Sequence, residues 1–92
     1  MAQRQQSGTP INLTASGTVS KVAGTLLGFY VNNKTAGATL VIGNGATSAA
    51  TAVTGTITPL IGYHETDYYL PNGCYITIAV QAMDITFFFA AG

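Results

Sequence analysis

The sequence predicts an all-β fold, a small antiparallel β-sandwich of jelly-roll-like form with an extended N-terminal arm. Three observations lead there. Thr, Val, Ile, Tyr and Phe dominate from Ala15 onward, and such side chains suit a pleated, half-buried surface. Apolar residues alternate with period 2 in several short runs, so one face packs on a core while the other meets solvent or a partner. Turn residues punctuate the runs, most clearly Gly43-Asn44-Gly45 and Asn72-Gly73, because Asn and Gly tolerate positive φ. No stretch shows a 3.6-residue apolar period, and short strands at regular spacing indicate a sandwich or barrel. An immunoglobulin-type topology is the alternative, although the paired cysteines and tryptophan of antibody domains are absent.

Residues 1–14 are polar, with Gly8 and Pro10 as breakers, and Pro10 biases Thr9 toward extended backbone. They read as an arm lying on a neighbour or as a frayed terminus. Residues 15–92 form the sandwich domain, with strands expected near 18–22, 26–32, 39–42, 52–58, 64–70, 74–80 and 85–89. In 26–32 the alternation puts Leu27, Phe29 and Val31 on one face and Leu26, Gly28, Tyr30 and Asn32 on the other. The Ala-rich piece 46–53 invites a helix, but Gly45, Thr47 and Thr51 favour a loop leading into a strand. In 74–80, Cys74, Ile76, Ile78 and Val80 share one face. In 85–89, Ile85, Phe87 and Phe89 point to the core and Phe88 points away, which makes this strand central rather than peripheral.

The chain has 92 residues, of which only 7% are charged, and its formal net charge is +0. About a quarter of an ordinary soluble domain is charged. No membrane segment accounts for the deficit, because the apolar run 85–91 is far short of the roughly 20 residues that cross a bilayer as a helix. A charge-poor surface lacks the repulsion that keeps copies apart, so much of it is expected to be covered in an assembly. One cysteine allows no internal disulfide, and no Cys/His cluster suggests zinc, which leaves oligomerisation as the remedy for a small core. Arg4, Lys21 and Lys34 are too few to neutralise a phosphate backbone, so neither nucleic acid nor membrane is an expected partner. The polar residues 1–6 contain no apolar leader core, so no secretory signal is expected. The sequons at Asn12 and Asn33 then read as chance matches.

Candidate chemistry is sparse. His64, Glu65 and Asp67 form the densest ionisable cluster, but strand alternation sets His64 against the two carboxylates. A glycosidase pair from Glu65 and Asp67 would need a cleft that so short a chain has little material to build. A triad of His64, Asp84 and one of Ser7, Ser16, Ser20 or Ser48 lacks any nucleophile-elbow signature. Cys74, in phase with Ile76 and Ile78, reads as a buried structural thiol. No glycine motif cradles a phosphate, so no cofactor, metal or catalytic residue is expected. The aromatic residues say more. Tyr63, Tyr68, Tyr69 and Tyr75 cluster near Phe87-Phe88-Phe89, and tyrosine is favoured at interfaces. Arg4, Tyr63, Tyr68, Tyr69 and Phe88 are the candidate interface residues, toward another subunit or a partner. Phe88 is covered either by another chain or by part of its own.

Five runs of residues carry a resemblance: Gly24-Thr25-Leu26-Leu27-Gly28-Phe29-Tyr30-Val31-Asn32, Ala38-Thr39-Leu40-Val41-Ile42, Thr56-Ile57-Thr58-Pro59, Leu70-Pro71-Asn72-Gly73-Cys74-Tyr75-Ile76-Thr77 and Asp84-Ile85-Thr86-Phe87-Phe88. Their order resembles small virion proteins of tailed bacteriophages, of the capsid decoration (cement) and head-fibre type. The resemblance implies a non-enzymatic structural protein on the capsid exterior, a homotrimer whose partner is the major capsid protein. It offers no catalytic residues to carry over. Another virion component (a head-fibre base, a tail or adaptor protein, a receptor-binding tip) or a small carbohydrate-binding module is the alternative.

Overall fold

A computed structural model describes residues 9–91. Eight strands follow in chain order: β1 (Thr9–Leu13), β2 (Gly17–Ser20), β3 (Gly24–Lys34), β4 (Thr39–Asn44), β5 (Thr51–Ala52), β6 (Gly62–Leu70), β7 (Cys74–Ala79) and β8 (Met83–Ala91). They form two four-stranded sheets, β1-β8-β3-β6 and β2-β7-β4-β5, in which every paired neighbour is antiparallel. The chain changes sheet at each connection except β4 to β5, and both sheets interleave early and late strands. This is the arrangement of an eight-stranded jelly roll, the fold class that the alternating pattern predicts.

The inner faces of both sheets meet in one core. Leu26, Phe29, Val31, Ile85, Phe87 and Phe89 come from the first sheet, and Val19, Leu40, Ile42, Cys74 and Ile76 from the second. No buried polar or charged side chain interrupts the core among the described residues. The β8 strand is interior to its sheet, and its burial alternates from Met83 through Phe89, with Phe88 on the opposite face as expected. The short turn from Leu70 to Cys74 closes through a Gly73 N–H to Leu70 carbonyl bond of 3.3 Å. Gly73 has a φ of 105°, and a Cβ there would lie 2.6 Å from the Ser20 carbonyl oxygen. Both facts make glycine the fitting residue.

Four details depart from the sequence reading. Residues 9–13, expected as part of an arm, form β1 and pair along the chain's own β8 from Thr9↔Phe89 to Leu13↔Ile85. Residues 1–8 lie outside the described residues. The expected strand over 52–58 shrinks to β5, because the chain then follows the edge of β4 through only isolated contacts. Val53 N–H donates to the Ile42 carbonyl at 2.8 Å, and Ile57 exchanges two backbone bonds with Leu40. In β3, Leu26 rather than Leu27 shares the core face with Phe29 and Val31. A bulge is the reason. Leu27 is an extra residue against β8 and stands opposite two residues, Thr66 and Asp67, of β6. Asp67 takes a φ of 57°, and the Thr66 hydroxyl donates to the Leu26 carbonyl at 2.6 Å. Last, Val80 is not on the inner face. It lies past the end of β7, 74% exposed.

Antiparallel connection gathers the loops at two ends. Loops 14–16, 35–38, 53–61 and 80–82 share one end, where Thr35 N–H donates to the Ala82 carbonyl at 3.1 Å. Loops 21–23, 45–50 and 71–73 share the other, joined by a Gly45 N–H to Gly73 carbonyl bond of 3.1 Å.

Candidate functional site

Side chains on the outer face of the first sheet fall into rows across its strands, because paired residues point to the same side. One row runs Asn12, Thr86, Tyr30, Tyr63 through β1, β8, β3 and β6. The next runs Pro10, Phe88, Gly28, Glu65. Gly28 lacks a side chain, and the Tyr63 ring occupies the space above it. A Cβ on Gly28 would lie 2.7 Å from both Tyr63 Cζ and the His64 carbonyl oxygen. Tyr63 thereby reaches Phe88, with ring centroids 6.2 Å apart and planes tilted by 49°. Phe88 is half-buried under a residue of its own chain.

The other half of this face is polar. Asn12 Nδ2 donates to Asp84 Oδ1 at 2.7 Å and lies 3.3 Å from Thr86 Oγ1. Asn32 Nδ2 donates to the same hydroxyl oxygen at 3.0 Å. The two amides thus converge on Thr86. A shallow open depression of about 240 Å³ adjoins this half, lined by Asn33, Lys34, Met83 and Asp84 among others.

The sequence candidates scatter. Tyr63 and Phe88 meet on the outer face. Tyr69 pairs with Thr25 farther along that face and is 61% exposed. Tyr68 pairs with core residue Leu26, so it leans to the inner side at the margin of β6. Arg4 lies outside the described residues. Tyr30, Asn12, Asn32 and Thr86 are not among the interface candidates that the sequence marks, although Asn12 belongs to a sequon. Tyr30 was legible, since it alternates with inward Phe29 and Val31, whereas the convergence of Asn12 and Asn32 depends on long-range pairing.

Among the described residues the ionisable side chains of the suggested triad stand apart from one another, and Ser7 lies outside the described residues. The His64 ring stacks on Phe29 with centroids 5.1 Å apart, and Nε2 donates to the Leu60 carbonyl at 2.7 Å. That bond fixes the Nε2 proton, because a carbonyl oxygen only accepts. Asp84, across the sheet, is engaged by Asn12. Ser16, just before β2, donates to the Ile78 carbonyl, and Ser20 at the end of β2 donates to the Val22 carbonyl. No group of three or more His, Cys, Asp or Glu among the described residues is placed to hold a metal. Cys74 is fully buried, and burial pushes its thiol up to about 12.

One loop end carries exposed aliphatic side chains. Leu60 and Ile61 are 72% and 60% exposed, and Val80 projects from the β7–β8 connection. Val80 has a φ of 71°, and Gln81 N–H donates to the Ala79 carbonyl at 2.8 Å, closing a γ-turn of the strained, positive-φ kind. Comparison with family models, curated proteins and solved structures found no match to this chain.

Proposed function

We propose that the chain is a structural virion protein of the capsid decoration type, a homotrimer that binds the outside of a tailed-phage capsid and stabilises the major capsid protein lattice. The observation that carries this reading is the aliphatic loop end. Leu60, Ile61 and Val80 stand in solvent on a chain with only 7% charged residues, and a β-branched residue is held there in an unfavourable backbone conformation. Exposed apolar groups rimmed by polar residues mark protein contact sites, and local strain tends to be retained where a site needs it. Tyr68 and Tyr69 on the margin of β6 serve as subunit contacts, and the jelly roll itself recurs among capsid proteins. Three loop ends per trimer would engage neighbouring capsomers together, so modest contacts add up to a firm hold. The test is a co-sedimentation of the purified chain with expanded empty capsids of its source phage, alongside mass measurement of the free protein. Stoichiometric binding that Leu60→Ser weakens is expected. A stable monomer that leaves the capsids bare would overturn the proposal.

A further inference from the structure

We infer that the outer face of the β1-β8-β3-β6 sheet is a binding platform for an uncharged saccharide, with the Tyr30 ring as stacking surface and Asn12, Asn32, Asp84 and Thr86 as hydrogen-bonding partners. The inference does not depend on where the protein resides, and it concerns a different surface from the aliphatic loop end.

The row Asn12, Thr86, Tyr30, Tyr63 crosses four strands. At about 4.8 Å between strands it spans roughly 14 Å, comparable to a trisaccharide lying flat. Its two halves differ in the way a sugar ring does. Tyr30 is 44% and Tyr63 53% exposed, and Phe88 supports the Tyr63 ring from the side. They offer apolar π-faces to the C–H face of a pyranose, with little conformational entropy to lose.

The polar half offers the matching hydrogen bonds. Asn12 and Asn32 both turn Nδ2 toward Thr86 Oγ1. Asn32 donates to Thr86 Oγ1 at 3.0 Å, while Asn12 divides its two Nδ2 protons among Asp84, the Ile85 carbonyl and, at 3.3 Å, Thr86, so Thr86 is engaged as an acceptor and its own proton remains for a donor bond. The same amide orientation turns both Asn carbonyl oxygens away from Thr86 as acceptors. The Asn12 bond holds one Asp84 oxygen and leaves the carboxylate further acceptor capacity. A donor set between acceptors complements adjacent sugar hydroxyls, each of which both gives and takes. The partners are pre-positioned by one another, which lowers the ordering cost of binding.

Charge decides the class of sugar. Two carboxylates, Glu65 and Asp84, stand on this face. Of the described cations, Lys21 lies in the 21–23 loop at the far end, and Lys34 borders the depression beside Asp84, so one cation stands against two carboxylates and the face keeps a net negative charge. An anionic glycan or a phosphate backbone would meet repulsion, whereas a neutral saccharide would not.

The experiment is an amide-shift NMR titration of the intact chain with maltotriose, cellotriose and triacetylchitotriose, with sialyllactose as the anionic control. At least one neutral trisaccharide should give saturable shifts centred on Asn12, Tyr30, Asn32 and Thr86. Tyr30→Ala should weaken that binding about tenfold, the scale of one well-made aromatic contact, while Tyr30→Phe keeps it. Asp84→Asn, which retains the shape and one acceptor oxygen, should weaken it less. The spectrum of each variant shows whether the fold is intact. Absence of saturable shifts with all three neutral sugars, shifts centred elsewhere, preference for sialyllactose, or full binding by a folded Tyr30→Ala protein would each overturn the inference.

Discussion

Replacing Val80 by Asn should stabilise the protein. Val80 holds a φ of 71°, where its branched Cβ crowds the backbone, and it is 74% exposed. A residue kept in such a conformation costs about 1–3 kcal/mol. Asn has no second branch at Cβ, so it crowds the backbone of this positive-φ γ-turn less than Val does, and Asn is among the residues most enriched at positive φ. Little packing is lost, since the valine contacts few neighbours; its Cγ1 lies 4.0 Å from where a side chain on Gly37 would begin. A net gain of about 1 kcal/mol is expected, which in a domain of this size raises Tm by roughly 4–8 °C. Val80→Gly relieves the same strain but adds flexibility to the unfolded chain, and so should gain about 0.5–1 kcal/mol less. The assay is thermal unfolding followed by circular dichroism, with all variants at one protein concentration because assembly shifts apparent stability. A Tm for Val80→Asn equal to or below that of the parent would refute the reasoning. If Val80 also docks on a capsid, the stabilised variant should bind it less well, separating stability from attachment.

Phe87→Ala should remove about 3–5 kcal/mol, enough to compromise folding, whereas Phe88→Ala should leave a folded chain, because only Phe87 is fully buried. Urea unfolding of the two variants checks the difference, and equal losses would mean that the β8 register is wrong. Cys74 should not react with a thiol reagent near pH 8 until the protein unfolds, since a thiol held up to about 12 supplies almost no thiolate. The same shift sets a pH dependence. Folded Cys74 keeps a proton that the unfolded chain loses above its ordinary value of 9.0, so this contribution to stability is steady below pH 9.0 and declines as pH rises toward about 12. A Cys74→Ala variant should show a shallower decline in Tm over that range, and an unchanged slope would contradict the assignment.

The fold was legible because period-2 alternation survives in β7 and β8 almost unbroken. Ile85, Phe87 and Phe89 are inward, and Phe88 outward, as their spacing requires. Alternation failed where the backbone itself slips. The bulge at Leu27 and the turn at Asp67 shift the phase within single strands, and nothing in a run such as Leu26-Leu27-Gly28 announces which leucine is displaced. The exposed Leu60 and Ile61 sit between Pro59 and Gly62, so their loop position could be read from the breakers. Their exposure could not, because apolar residues usually imply burial. The polar convergence on Thr86 joins residues more than fifty positions apart, and only the assembled sheet brings them together.

The pairing of β1 with β8 bears on how the chain reaches this structure. The interior strand of the first sheet, β8, is the last of the eight to be synthesised, and both β1 and β3 pair with it. Until β8 has been made, Ile11, Leu13, Phe29 and Val31 have no Ile85 or Phe87 to pack on. Only the β3–β6 half of the first sheet can pair before β8, and closing β1 onto β8 joins residues some eighty positions apart, which predicts slow, highly cooperative completion of that sheet rather than strand-by-strand growth. A nascent chain in that interval presents the β8-facing edge of β3 unpaired, beside an apolar inner face. Its hazard is aggregation before completion, and its yield in a cell should depend on temperature and expression rate more steeply than the stability of the finished domain would suggest.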